Sequence, residues 1–441
     1  MHLAMTLMSI AFASSFAPRV LYRRAGLSAA SVLFSTATSM NPLLDQKGLP
    51  RFESIEPSHL EPAVSELLGD MSRKFKDLES RVSASGSDCK YDDVLPELER
   101  IQEPIGYTWG VAGHLNGVKN GEELRKAYEA SQPDVVKAFT EFKQSRVLYD
   151  SMKRVLKDEG ERGLLTGEQV RALEGSLHAM TLGGVGLDGK EKERFNEIKQ
   201  RLAELATSFG NNVLDSTKLF SLTITDPEQV RGVPDSVKNM WAAAASADAE
   251  KGDGDGDGTC AAGDGPWKIT LDGPSYIPAM QHLKDRGHRE KLYRAYVTRA
   301  SESSGDKNNI DLINEILRLK LEMSKLLGFG NYAEQSLSSK MADDVSAVDN
   351  MSKFLKEKAL PAAERELAEI TEHARANGGE EYSEGNLERL MNWDTPYWSE
   401  RLKESRFDMK EVRRDFIRHV PRHLNKFYAQ RLTNKINNKT R

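Results

Sequence analysis

The chain has 441 residues, of which 39% are hydrophobic and 29% charged, and this length allows more than one hydrophobic core. A net charge of −5 argues against nucleic acid as the main partner, and the absence of any run of roughly eighteen apolar residues predicts no membrane span. The two cysteines, Cys89 and Cys260, are too few for a disulfide framework or for a cysteine-based zinc site.

Residues 1–40 have the composition of an organelle-targeting presequence. No acidic residue precedes Asp45, and a few arginines stand among Ser, Ala and Thr, which is typical of transit peptides. A short apolar run, Leu3 to Ala13, comes before the basic stretch, as in the two-part leaders of algae with complex plastids. The arginines at 23 and 24 also suit a mitochondrial leader. We favour the plastid over the mitochondrion; secretion is the third alternative, but it would leave the arginines without a purpose.

The stretch from residue 57 to residue 220 is predicted to be helical. Apolar side chains recur there at three- and four-residue steps with polar residues between them, which buries one face of a helix and leaves the other solvated. Leu60–Leu78 and Leu124–Tyr149 follow this pattern. The clearest stripe is Phe195, Ile198, Leu202, Leu205 and Phe209. Strand-like residues are confined to Leu219–Thr225 and Trp267–Leu271, so we predict a core of helix packed on helix.

A glycine motif at residues 184–189 matches the dinucleotide-binding pattern G-x-G-x-x-G. That motif needs a strand before it and a helix after it, so that backbone N–H groups meet a pyrophosphate. Here a helical stretch, Gln169 to Met180, comes first. We therefore interpret the glycines as the end of one helix and the turn into the next.

Residues 243–265 form a composition break that is dense in Gly, Asp and Ala and cannot build a core. Asp253, Asp255 and Asp257, with Asp264 at the twelfth position, imitate a calcium-binding EF-hand loop. The loop lacks the bidentate glutamate and is followed by strand-like residues. Weak, unspecific attraction of cations is the favoured interpretation.

Helices are predicted again at Ile310–Leu327 and Asp344–Ala376, with a kink at Pro361. The apolar face of the second helix comprises Val348, Met351, Leu355, Leu367, Ile370 and Ala374. From Arg413 to Arg441 the chain has nine Lys or Arg and one acid, Asp415. This tail is either a basic interaction segment or sequence foreign to the fold, such as a misread exon, and we favour the second alternative.

Zinc hydrolysis of the H-E-x-x-H type needs two histidines one turn apart on a helix and a glutamate beside the first. His419 and His423 have that separation, but Val420 stands where the general base is needed, and Pro421 would disrupt the turn. No G-x-S-x-G motif is present, and neither cysteine has the surroundings of a nucleophile. We predict no catalytic, cofactor-binding or metal-binding residue. The remaining histidines considered are expected to be surface or structural: His59, His114, His178, His282, His288 and His373.

A set of short segments stands in order between residue 41 and about residue 412. These are Asn41–Leu44, Leu49–Phe52, Ile55–His59, His114–Asn120, Asn212–Asp215, Gly273–Pro278, Tyr293–Tyr296, Thr298–Ser301, Leu327–Ala333, Ser339–Ala342 and Trp393-Asp394 with Tyr397, Ser399 and Glu400. None is diagnostic alone. Together, in this order and spacing, they resemble the thimet oligopeptidase family of zinc metallopeptidases, with the oligopeptidase A branch the most similar.

The resemblance implies an all-α, two-lobed protein with a deep channel between the lobes, in which zinc cleaves short peptides. Relatives in the plastids and mitochondria of plants and algae degrade cleaved targeting peptides, and the full-length form is expected to be a monomer. The family's H-E-F-G-H helix, its further Glu ligand and its oxyanion-stabilising His and Tyr have no matching positions here. Zinc is thus expected for a full-length member and none for this chain, which we expect to be inactive as given.

Five segments are therefore expected. They are a presequence (1–40), a helical N-terminal domain (41–225), a Gly/Asp-rich insertion or linker (226–266), the start of the peptidase domain (267–412) and a divergent basic tail (413–441). Two functional hypotheses follow: a zinc oligopeptidase whose reading frame is cut short, or a short non-catalytic helical protein that binds peptides or a partner chain.

Overall fold

A computed structural model describes residues 41–249, 265–383, 386 and 389–407 of the chain. In these residues the protein has fourteen α-helices and one two-stranded sheet, so the predicted all-α class is confirmed. None of the described helices is long and apolar enough to cross a membrane. The predicted presequence (1–40), the EF-hand-like aspartates and the predicted basic tail (413–441) lie outside the described residues.

The helices up to residue 219 follow the predicted periodicity, except that the stretch Leu124–Tyr149 is divided between two helices, because Ser145 caps the second of them. Thr166 begins one of them with a reciprocal cap. The Thr166 side chain accepts from the Gln169 N–H, and the Gln169 side chain accepts from the Thr166 N–H. The bounds are α1 (Leu60–Ser85), α2 (Tyr91–Val118), α3 (Glu122–Lys143), α4 (Arg146–Lys157), α5 (Glu159–Leu164), α6 (Gly167–Leu182) and α7 (Gly189–Leu219).

The remaining elements alternate with short turns. Asp344 caps the longest of these helices by accepting from the Ala347 N–H at 2.7 Å. The bounds are β1 (Ser221–Ile224), α8 (Asp235–Ala249), β2 (Trp267–Thr270), α9 (Gly273–His282), α10 (Arg286–Val297), α11 (Ile310–Leu326), α12 (Tyr332–Leu337), α13 (Val345–Asn377) and α14 (Thr395–Arg406).

The first and largest core lies among α1 to α6. Leu78, Ile105, Leu148 and Met152 are fully buried in it. Leu78 belongs to α1 and Ile105 to α2, while Leu148 and Met152 lie one turn apart in α4. Burial of such side chains is the main source of stability for the N-terminal part.

A second core forms around the two strands, which pair antiparallel with Ser221 opposite Thr270. Both strands were predicted. The fully buried Trp241 of α8 packs in this core with Trp267. Regular structure therefore extends through residues 235–249, which the composition had grouped with the insertion. The Gly/Asp-rich character begins only after this helix, and the boundary of the linker remains a prediction.

A third core joins α7 to α11. Phe195 and Ile198 of α7 are buried against Ile316 and Leu319 of α11. Beside this apolar contact an ion pair also connects the two helices, because the Arg194 guanidinium donates to both carboxylate oxygens of Glu322. The long helix α7 thus belongs both to the N-terminal bundle and to the part that follows.

The long helix α13 differs from the others because almost none of it is covered. Of its residues only Ala374 is buried, where it packs with Tyr382 and Trp398. The predicted apolar face is present but lies open: Met351 is 63% exposed and Leu355 52%. The helix continues through Pro361, and the predicted kink stays a prediction.

Candidate functional site

The described histidines are scattered, as predicted, and their polar contacts are to other protein groups. His59 Nδ1 accepts the Glu56 N–H at 3.0 Å, and His178 lies 3.1 Å from the Ser338 hydroxyl. His282 closes α9 while His288 belongs to α10, so the two do not share a helix face. Burial lowers the pKa of His282, and the guanidinium of Arg401 lowers it further.

No three His, Cys, Asp or Glu side chains converge as a possible metal site in the part of the chain that the structure describes. These residues therefore do not fit zinc. His419 and His423 lie outside that part, so the expectation that they bind no metal stays a prediction.

The glycine motif forms the turn between α6 and α7, as interpreted from the sequence. Gly184 has φ +85°, a conformation that favours glycine, and a Cβ there would meet the Phe195 ring at 3.1 Å. A helix and not a strand precedes the turn. The geometry needed to hold a dinucleotide is therefore missing.

The densest charged cluster in the described residues centres on Asp394, which is fully buried. Arg289, also fully buried, donates to Asp394 at 3.2 Å, and Arg286 donates to it at 2.8 Å. Burial acts to raise the pKa of Asp394, but hydrogen bonds from Arg286, Tyr382 and the Met391 N–H outweigh it and hold that pKa below its usual value.

The charged groups of this Asp394 cluster find their hydrogen-bond partners within the protein. The Arg289 guanidinium also donates to the carbonyls of Leu283, Lys284 and Trp393, and the Tyr382 hydroxyl donates to Asp394 at 2.9 Å. No group in it is left to act as a nucleophile or proton acceptor. The cluster is a structural joint between α10 and the beginning of α14.

An aromatic groove of about 350 Å³ lies beside that joint. The rings of Tyr276 and Tyr296 stack at 4.2 Å, and the Arg299 guanidinium lies 3.8 Å over the Tyr296 ring. Burial raises the pKa of Tyr276 to about 12, so its hydroxyl stays protonated at neutral pH. The groove can hold an apolar side chain, but it brings no acid, base or nucleophile together. Its other lining residues include Ile277, Met280, Tyr293, Val297 and Pro396.

A second charged joint connects the N-terminal bundle to the part that follows. Arg125 of α3 donates to both carboxylate oxygens of Asp215, at 2.8 and 3.0 Å, and Lys307 lies 3.0 Å from the same carboxylate. The side chain of Asp215 is 20% exposed. Its partners, Arg125 first, lower its pKa from 3.8 to about 2.

The Asp215 joint predicts a pH-dependent component of stability. Because the pKa is lower in the folded state, the unfolded chain binds more protons at acid pH. The stabilisation is complete above the unfolded value and is lost as the pH falls from about 5 towards 2, by on the order of 2 kcal/mol. Urea unfolding at pH 6 and pH 3 should show this component in the wild type and not in Asp215→Asn. Arg125→Met should remove most of it too, whereas parallel pH profiles for all three proteins would contradict the assignment.

Several residues of the family-like segments prove to be structural. Asn41 donates to the His59 carbonyl at 2.7 Å, and Asn331 accepts the Glu334 N–H as the cap of α12. Ala300 has φ +49°, and its N–H donates to the Ser216 hydroxyl. The sequence did not show these roles. Asn41 and Ala300 have partners 18 and 84 residues away, whereas the cap at Asn331 is local.

Two family profiles match the chain in succession. The N-terminal domain of neurolysin and thimet oligopeptidase matches residues 64–192, and peptidase family M3 matches residues 279–422. The second match runs past residue 412, where the sequence had suggested a break.

Curated proteins align over most of the chain. The organellar oligopeptidase A of Arabidopsis thaliana, chloroplastic and mitochondrial, is 36% identical over 381 residues, which cover 86% of this chain and 46% of that protein. The oligopeptidase A of Salmonella typhimurium is 35% identical over 374 residues, covering 84% and 51%. The chain spans about half the length of the curated relatives it matches.

The two profile matches and the identities over most of the chain agree with the helical fold. The chain therefore belongs to the thimet oligopeptidase family of peptidases, with oligopeptidase A among its relatives.

Proposed function

We propose that this chain is the N-terminal part of a zinc metalloendopeptidase of the oligopeptidase A type, which degrades short peptides in an organelle. We also propose that the 441 residues are inactive without the rest of the peptidase domain. The relatives' names support peptidase activity, and the name of the Arabidopsis organellar protein supports the plastid or the mitochondrion as the compartment. Cleaved targeting peptides are the proposed substrates.

The observation that carries this proposal is the uncovered face of α13. A helix of 33 residues with one buried residue cannot draw its stability from its own packing, and most helices in proteins depend on such packing. Several large apolar side chains along it are also exposed, and clusters of such side chains mark interaction surfaces. This apolar patch of α13 comprises Val345, Val348, Met351, Phe354, Leu355, Leu360 and Leu367.

The second half of the peptidase domain would cover this patch and supply the zinc ligands. The family profile for peptidase M3 includes α13, and the aligned residues make up only 46% and 51% of two relatives. The proposed division of the chain follows: presequence 1–40, N-terminal domain 41–225, linker 226–266, start of the peptidase domain 267–412 and divergent tail 413–441. The completed protein is proposed to be a monomer.

The test is to read the genomic DNA past the codon for residue 412 in all frames and to express any longer product. We expect an H-E-x-x-H motif downstream, and peptide hydrolysis by the longer product that a chelator abolishes and zinc restores. The 441-residue chain should show no chelator-sensitive hydrolysis. Absence of the motif, or zinc-dependent activity of the short chain, would refute the proposal.

The alternative is a non-catalytic helical protein that binds peptides or a partner chain. It requires the 441-residue chain to stay monomeric, to unfold cooperatively and to bind peptide although α13 is uncovered. Size-exclusion chromatography and calorimetry of the purified chain distinguish the two. We expect association through the apolar patch of α13, since such surface favours aggregation.

A further inference from the structure

A second groove, of about 840 Å³, runs between α1 and α3 on the N-terminal bundle. Its floor is apolar and includes Val64, Leu68 and Ala138, while small residues such as Ser65 and Gly69 keep it open. The lining follows one face of each helix, over residues 57–72 and 130–141. At 1.5 Å per residue this face is about 20 Å long, enough for a short extended or helical segment.

The walls of this α1/α3 groove carry an excess of negative charge. Glu61, Asp134 and Glu141 are exposed there, with Lys137 as the one cation in the lining. Within the described part of the chain, none of the three carboxylates has an ion-pair partner. The groove thus offers apolar contacts along its floor and unpaired carboxylates along its walls, which suits a segment that is both basic and apolar.

The chain itself places such a segment at the end of the groove. Asn41 is tied to the His59 carbonyl at 2.7 Å and Leu43 is 1% exposed, so the backbone at residue 41 is anchored beside Ser58 in the groove lining. Residues 1–40 therefore join the described structure at this point. They contain three arginines, Arg19, Arg23 and Arg24, and no acid.

We propose that the α1/α3 groove binds the chain's own N-terminal segment, with these arginines against the acidic walls and the neighbouring apolar residues on the floor. The reach is sufficient, because the residues between Arg24 and Asn41 span up to roughly 55 Å when extended. Since the segment is tethered, its effective concentration reaches the millimolar range, so even weak contacts would keep it bound. Removal of residues 1–40 would then open the groove.

Trypsin tests this, because it cleaves after the three arginines and tethered binding should protect them. In the full chain, the triple variant Glu61→Gln/Asp134→Asn/Glu141→Gln should be cleaved after Arg23 and Arg24 about fivefold faster than the wild type, since cleavage follows the unbound population. The matched control removes the same number of charges elsewhere on the bundle, as Glu66→Gln/Glu103→Gln/Glu123→Gln, and should be cleaved at the wild-type rate. Circular dichroism shows whether both variants are folded.

Hydrogen exchange supplies a second measurement that does not depend on a variant. Amides at 58–72 and 130–141 of the wild-type chain should exchange faster once trypsin has removed the N-terminal segment. Equal cleavage rates in the three proteins, or unchanged exchange after removal, would overturn the proposal. Faster cleavage only within the basic residues 413–441 would assign the groove to that tail instead, and would equally overturn it.

Discussion

Replacing Asp394 by alanine is expected to lower the free energy of unfolding by about 3–5 kcal/mol, as is usual when a buried ion pair loses one partner. The loss leaves the guanidinium of Arg289, which has no exposed surface, without its countercharge. It also removes the acceptor for the Tyr382 hydroxyl and for Arg286. Unfolding in urea, followed by circular dichroism, measures the effect.

A matched control separates burial from charge. Glu381 also pairs with Arg286, at 3.3 Å, but its side chain is 53% exposed. Glu381→Ala should therefore cost no more than about 1 kcal/mol, the range of exposed ion pairs. Similar effects for the two variants would show that the Asp394 cluster is not the joint described here.

The Asp394 cluster also shows where sequence reasoning ends. Trp393-Asp394 stood out as one of the family-like segments, yet nothing in the sequence assigned it a partner. Arg289 precedes Asp394 by 105 residues, and Asp215 pairs with Arg125 across 90 residues. Helical periodicity reports which face of a helix is apolar, but it does not tell which distant residue a buried charge will meet. The fold class was therefore predictable, and the joints were not.

Helix α13 shows the same limit in another form. The apolar spacing of Val348, Met351 and Leu355 correctly predicted a helix with one apolar face. In the described part of the chain that face stays open. A stripe of apolar residues in a sequence implies that another part of a protein packs against it, but the sequence does not identify that part.

Composition alone does not reveal the helix at residues 235–249, for a physical reason. The alanines at 242–245 and the glycines and aspartates that follow make the average of the whole stretch resemble a linker. The decisive residue is a single one, since Trp241 is fully buried against the strand pair while its neighbour Met240 is 36% exposed. One large aromatic side chain can anchor a helix whose other residues are small.

Trp241→Ala is accordingly expected to destabilise the protein by about 3–5 kcal/mol, the usual cost of truncating a buried tryptophan and leaving a cavity. Met240→Ala, the adjacent change on the same helix, should cost clearly less, about 1 kcal/mol, because that residue is 36% exposed. Urea unfolding of both variants gives the comparison. If residues 235–249 were only a linker, both substitutions would be neutral. A large loss confined to Trp241 would instead place α8 in the second core, with the flexible composition beginning after it.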